Sequence, residues 1–378
     1  MASTPLRRLF HWGPIAVLCI IKLITWAMVH LIGMWWPPTE SVGGAVHAAV
    51  FLLFAASTLY YFLQSLMEGP GFVPLGWKPD KEEDKECLQF CSVCNGYKAP
   101  RSHHCRQCGR CVLKLDHHCP WINCCVGHLN HASFVKFLLA AVIGCLHASI
   151  VLSICIYHAI HRIWYIHNGT GSEPMIYLTL TTLLLTLLAI GMAIGVVLAV
   201  GTLFYFQIRS ILKNQTTIED WIMEKAVCRH MEQGLRPFVF PYDLGRKRNF
   251  EMVFSAGYDG IHWPVRDGCG EYDLTLEQLS QKRDKLSRSR LYRCVSRYSG
   301  RWLPLLQSPR AALAAPCSTE PRLPLREGDS VRVTRQRRYW LFGEKLTGSG
   351  EGRGPRGWFP RECAAPAERS RGNHAKPD

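Results

Sequence analysis

The chain has 378 residues, 17 of them cysteine, and a formal charge of +15. Its mean hydropathy is zero, yet that average joins long apolar runs to strongly charged stretches, which excludes a single soluble globule and places the chain among membrane proteins. From Ser280 to Asp378 there are 22 Lys and Arg against 9 Asp and Glu; in a chain tied to a bilayer such a tail meets an anionic membrane surface or solvent, and nucleic acid is not expected as a partner.

Four stretches are apolar enough, and long enough at about 20 residues or more, to cross a bilayer: 15–36, 46–67, 134–156 and 176–206. The first is too long, and too closely followed by another, to be a cleaved signal peptide. The fourth exceeds the minimum and must tilt or protrude. Arg7 and Arg8 precede the first span, and the loop after it has no Lys or Arg. Segment 68–133 has eight, the next loop only Arg162, and Arg209 and Lys213 follow the last span. The positive-inside rule then puts both termini and segment 68–133 in the cytosol, with the lipid bilayer as the chain's first partner. Within the spans, Lys22 and His147 can snorkel or find a hydrogen bond as readily as mark a functional cavity. Gly191 and Gly195 suggest close helix packing within the bundle, with dimerisation as the second option. Asn168-Gly169-Thr170 is a glycosylation sequon, close to a span, in the loop placed in the lumen.

Nine cysteines fall between Cys87 and Cys125, interleaved with histidines. In this setting the pattern favours zinc in a reducing compartment over disulfides. Cys91-x-x-Cys94, Cys105-x-x-Cys108 and Cys108-x-x-Cys111 each place two sulfurs at the bite of a tetrahedral zinc. His104, His118 and Cys125 can complete two closed sites, whose binding energy becomes folding energy for a loop with little apolar core. Unliganded buried cysteines are the plainer alternative, but so many Cys and His in one polar loop argue against it. Two sites need eight ligands, and the loop offers more. Cys119 follows Asp116-His117-His118. Such a row is a nucleophile arrangement, in which Asp orients an imidazole that holds the thiol as thiolate. Spacing alone leaves two readings open, Cys119 as nucleophile and Cys119 as a further zinc ligand. The third span starts soon after Cys119, so a thiol there suits a substrate with a lipid tail and a soluble head, such as long-chain acyl-CoA.

After the last span the chain turns polar. Segment 274–286 has helical spacing, and 291–365 resembles an SH3-like barrel. Its opening strand is expected at 295–298, a turn and alternating strand at 328–333, and aromatic marks at Tyr339-Trp340 and Gly357-Trp358-Phe359-Pro360. No acidic residue stands between Tyr298 and Glu320, and Arg297 sits where Asp is common. A structural or regulatory module therefore stands beside Pro-rich peptide recognition as the reading of this part, with a protein partner as a candidate ligand.

Asp116-His117-His118-Cys119-Pro120-Trp121, with Cys125, Asn130 and Phe134 behind it, resembles the DHHC-type protein S-acyltransferases, or palmitoyltransferases. Gly69-Pro70-Gly71, Thr216-Thr217-Ile218-Glu219 and Asn249 with Val253 and Phe254 resemble further marks of that family, with Glu68 where Asp is usual and Ser255 where Gly is usual. The resemblance covers roughly 15–254. It implies a four-helix polytopic membrane protein with a cytosolic two-zinc cysteine-rich domain, followed here by a small all-β SH3-like barrel. The implied divisions are 1–67, 68–133, 134–208, 209–290, 291–365 and a polar tail 366–378. One zinc would take Cys91, Cys94, His104 and Cys111, the other Cys105, Cys108, His118 and Cys125. Cys119 would be the nucleophile, His117 its base and Asp116 the orienter. Cys124 departs from the family's usual Asn. The implied activity is ping-pong transfer of a palmitoyl or similar chain from acyl-CoA to cysteine thiols of membrane-associated proteins. The subgroup with an SH3-like domain points to the endoplasmic reticulum membrane. Two other classes compete: a membrane-anchored zinc ubiquitin ligase, which has no use for Asp116-His117 before a free Cys119, and a non-catalytic zinc scaffold.

Overall fold

The computed structural model describes residues 5–255, 257–301, 309–318, 320–346 and 354–367. The chain divides into two units, 1–278 and 279–378. Most of the polar tail expected at 366–378 lies outside the described residues.

The first unit opens with a short helix, α1 (Pro5–Leu9), and the apolar helices α2 (Trp12–Trp35) and α3 (Val42–Glu68). Three two-stranded hairpins follow: β1 (Phe90–Cys91) with β2 (Gly96–Tyr97), β3 (His103–Cys105) with β4 (Arg110–Val112), and β5 (His117–Cys119) with β6 (Cys124–Val126). Then come α4 (His131–Ile160), α5 (Arg162–Asn168) and α6 (Leu180–Lys213). Helices α2, α3, α4 and α6 are the described helices long and apolar enough to cross a membrane. At about 1.5 Å per residue the longest exceeds a hydrocarbon layer of about 30 Å, so part of it projects or tilts. The fourth span starts later than its apolar run, which begins near Ile176. Thr179 ends the extended backbone there, its hydroxyl accepting from the Thr182 N–H while Thr182 reaches back in a capping box.

Helix α4 packs against both α3 and α6, and α2 closes the bundle. A second capping box, Thr216 with Glu219, starts α7 (Thr217–Glu232) directly after α6. Helix α8 (Arg246–Phe254) returns to pack on α6 and α4. Its Asn249 is fully buried, with Nδ2 donating to the Leu212 carbonyl at 2.9 Å, which ties the returning segment to the end of α6. Helix α9 (Asp273–Ser287) covers the helical spacing expected at 274–286.

The second unit is an all-antiparallel five-stranded sheet of β7 (Arg290–Cys294), β8 (Ser330–Gln336), β9 (Trp340–Lys345), β10 (Arg356–Pro360) and β11 (Ala364–Pro366), with a short helix α10 (Pro309–Leu313). Strands β7 to β10 form a meander, and β11 returns to pair with β7. The opening strand lies earlier than 295–298. The strand starts at Arg290 and alternates from Leu291, burying Tyr292 and Cys294, while Tyr298 makes an isolated bridge to Leu325. The core holds Tyr298, Trp340, Phe359, Val331 and Leu341, all 1% exposed or less.

Candidate active site and metal centres

Each metal-ligand candidate is placed by a hairpin. In β3–β4, His104 lies directly across from Cys111, and the β1–β2 knuckle supplies Cys91 and Cys94. The end of β3 and the turn after it supply Cys105 and Cys108, and in β5–β6 His118 lies directly across from Cys125. The structure thereby brings together two groups, Cys91, Cys94, His104 and Cys111, and Cys105, Cys108, His118 and Cys125, with the ligand atoms of each group within 4.8 Å of one another. His104 Nδ1 is 3.5, 3.5 and 3.8 Å from the sulfurs of Cys91, Cys94 and Cys111. His118 Nδ1 is 3.7, 3.5 and 3.6 Å from those of Cys105, Cys108 and Cys125. A tetrahedron with bonds of about 2.0–2.3 Å has edges of about 3.3–3.8 Å. The donor sets therefore fit a metal such as zinc at both positions.

Alternation along β5 separates two kinds of residue. Successive strand side chains face opposite ways, so His117 and Cys119 share one face and His118 points to the other. Across the hairpin, Cys124 is opposite Cys119 and Val126 opposite His117. One face thus carries the ligand pair His118 and Cys125. The other carries Cys119 into an apolar cluster with Ile122, Phe134 and Phe62, outside both ligand groups. Cys124 joins that face; burial pushes its thiol up to about 12, so it stays protonated. Asn130 pins the hairpin from behind: its Oδ1 accepts from the Gly127 N–H at 2.9 Å, and its Nδ2 donates to the carbonyls of Ser65 at 2.9 Å and Cys125 at 3.0 Å.

Asp116 is 2% exposed. His117 Nδ1 donates to its Oδ2 at 2.7 Å, and Thr217 donates to Oδ1 from its N–H at 2.8 Å and its hydroxyl at 3.1 Å. Burial alone would push the carboxyl up. The His117 hydrogen bond and charge, with the Thr217 N–H, outweigh burial and hold it well below the usual carboxylate range. Burial likewise works against a charged His117, but the bond to Asp116 and the interaction with the Cys119 thiol raise it to about 9. Asp116 thus fixes the tautomer, with Nδ1 protonated and Nε2 left for the sulfur side. An imidazole held in this way can keep a neighbouring thiol as thiolate.

Beneath lies a buried ion pair between Glu219, the last residue of the Thr-Thr-x-Glu motif, and Arg101, which in the sequence is only one of the loop's positive charges. Arg101 binds Glu219 through Nε and Nη2 at 2.7 and 2.8 Å, and its guanidinium lies 4.5 and 4.7 Å from the ring centres of Tyr242 and Trp263. The Thr-Thr-x-Glu segment, legible as a motif, thus holds the site twice, through Thr217 on Asp116 and Glu219 on Arg101. Burial brings the neighbouring Lys114 down to about 7. Neither Lys114 nor Arg101 carries a motif that marks such a role.

Cys119 and Trp121 stand at one end of a cavity of about 360 Å³ among α2, α3, α4 and α6. Its walls on α6 run from Gly191 to Leu203, roughly 18 Å at the helical rise. Gly191 and Gly195, expected to pack closely on a neighbouring helix, instead line this cavity, and a Cβ on either would meet no atom within 4 Å. Their small size leaves lumen rather than contact.

The family model described as DHHC palmitoyltransferase matches residues 84–224. Palmitoyltransferase ZDHHC6 of Mus musculus is 44% identical, over 95% of this chain and 91% of the relative. Palmitoyltransferase ZDHHC6 of Homo sapiens is 45% identical over the same shares. Probable protein S-acyltransferase 16 of Arabidopsis thaliana is 33% identical, over 63% of this chain and 83% of the relative. On this similarity along nearly its whole length, the chain belongs to the DHHC palmitoyltransferase family.

Proposed function

We propose that this protein S-acyltransferase works through Cys119 as nucleophile, with His117 as its base and Asp116 as the group that orients the base. The observation that carries the assignment is the split hairpin: His117 and Cys119 share the face that opens on the apolar cavity, while His118 turns to the ligand cluster behind.

The Cys119 thiolate attacks the thioester carbonyl of a long-chain acyl-CoA. The C–S bond to CoA breaks, and the CoA thiolate leaves with a proton from the His117 imidazolium. The acyl chain stays on Cys119, in the cavity. An acceptor cysteine of a membrane-associated protein then gives its proton to His117, attacks the acyl-enzyme and restores the Cys119 thiolate. Burying a CH₂ from water is worth about 0.8 kcal/mol, but a chain already in the bilayer gains little of this. The cavity therefore sets chain length and the position of the thioester more than affinity.

Two zinc ions, held by Cys91, Cys94, His104 and Cys111 and by Cys105, Cys108, His118 and Cys125, are structural: each set is closed, with four protein ligands and no open position. The Lys/Arg asymmetry supports a multi-pass chain with both termini and the active site on the cytosolic side. The endoplasmic reticulum membrane is the compartment the family resemblance supports. The C-terminal sheet folds as a separate SH3-like module, not needed for the chemistry, that offers a protein partner a surface. Incubating the purified chain with labelled palmitoyl-CoA tests the activity: a label on the protein that hydroxylamine removes is expected, and a protein that takes none contradicts the proposal.

A further inference from the structure

Asp116 accepts a fourth hydrogen bond that belongs to none of the motifs. Gln207, near the end of α6 and 3% exposed, donates from Nε2 to Asp116 Oδ2 at 2.9 Å. Its Oε1 lies 2.8 Å from Nε2 of His131, which is 5% exposed in the first turn of α4. A carboxylate only accepts, so the amide must present its NH₂ to Asp116. Its carbonyl then faces His131, whose Nε2 must carry a proton. The direction of each hydrogen bond along His131, Gln207, Asp116 and His117 follows from that one constraint.

A satisfied polar pair in an apolar core is the plainer reading, since a buried amide must be bonded at both ends. The geometry points further. Thr217 fixes Oδ1, and without Gln207 the only hydrogen-bond partner of Oδ2 among the described residues would be His117, the group that Oδ2 is meant to orient. The Gln207 amide supplies an anchor for Oδ2 that does not move with the imidazole, and it comes from a membrane helix rather than the hairpin.

We infer that Gln207 is a positioning residue for acyl transfer, setting the Asp116 carboxylate and through it the His117 ring, with His131 holding the amide in place. This rests on the reading of Asp116, His117 and Cys119 as the catalytic group. The test uses the full chain in lipid nanodiscs. The single-turnover rate of acyl-enzyme formation is measured against palmitoyl-CoA concentration, beside metal content and thermal midpoint. Gln207→Met keeps the length and removes the donor. Its limiting rate should fall about 10- to 100-fold, the scale of a slightly misplaced catalytic group, with the half-saturating concentration and both metals unchanged. His131→Leu should cost less. The double variant should be no slower than Gln207→Met, because His131 acts only through Gln207. A wild-type limiting rate in Gln207→Met overturns the inference. So does additivity in the double variant, or metal and thermal stability lost in step with the rate. Asp116→Asn separates the two levels: if it is slow while Gln207→Met is fast, only the inference fails, and if it is itself fast, the catalytic reading fails with it.

Discussion

The hairpin region and the C-terminal sheet are both small and built from short strands, but different things hold them together. Half of the buried members of the two clusters beneath the hairpins are candidate ligand cysteines, and the rest are the small or medium side chains Val73, Ala99, Val112, Leu113 and Leu115. The C-terminal sheet encloses a core with Tyr292, Tyr298, Trp340, Trp358 and Phe359. One region has donors where the other has aromatic rings. A strand of two or three residues buries too little to set its own register. The candidate ligand pairs His104 with Cys111 and His118 with Cys125 would do so once metal is bound, and in setting the second they would also decide which way Cys119 faces. On the proposed reading, stability and catalysis are coupled in the hairpins, whereas changes in the sheet are expected to leave the chemistry alone.

The largest effect expected from this contrast is on chelation. Structural zinc in small folds is worth about 10–16 kcal/mol, so removing metal should unfold the hairpins and abolish autoacylation, leaving the C-terminal sheet intact. Limited proteolysis, with cleavage mapped to 87–125 and a protected C-terminal fragment, checks this. Next comes His117→Ala, which should slow acyl-enzyme formation by about 10²–10⁴-fold with both metals retained, while Cys125→Ser should lose metal, stability and activity together. Metal analysis beside single-turnover rates distinguishes them.

Trp340→Ala addresses the other region. Trp340 is fully buried, with Nε1 donating to the Ala311 carbonyl at 2.9 Å. Its truncation should cost about 3–5 kcal/mol and melt the sheet, with metal content and autoacylation unchanged. The smallest effect belongs to Lys114, whose folded value of about 7 lies below its ordinary 10.5. A cation depressed on folding costs stability fully below about pH 7, and the cost fades as pH rises to 10.5. Lys114→Met should therefore melt no lower than the parent at pH 7, and any advantage should shrink by pH 9, in thermal scans at the two values.

Much of this architecture is legible in the sequence because its signals are local. Apolar length gives the four spans, and Cys-x-x-Cys spacing gives pairs of donors before any fold is known. What spacing leaves open is direction: Cys119 is nearer in sequence to His118 than to His117, and only the pairing of β5 with β6 puts it on the face away from Cys125. Three-residue strands carry no periodic signal from which to read that. Gly191 and Gly195 mislead for a related reason, since small residues allow either close packing or open space and the sequence does not say which. The opening strand of the sheet is read a few residues late because Arg290 and Arg293 interrupt its apolar run, although Tyr292 and Cys294 point inward on either side of Arg293. Gln207 stands one residue past the apolar run read at 176–206, and nothing in its local sequence shows that α6 continues and carries it to Asp116.

The central claim is that the hairpin separates a nucleophile from a ligand set one residue away. Cys119→Ser tests it most directly, with metal content, thermal midpoint and hydroxylamine-sensitive label measured on one purified sample. The account predicts two metal ions per chain, a near-normal midpoint and no label. A Cys119→Ser protein that lost one metal ion, or that kept its label, would contradict it.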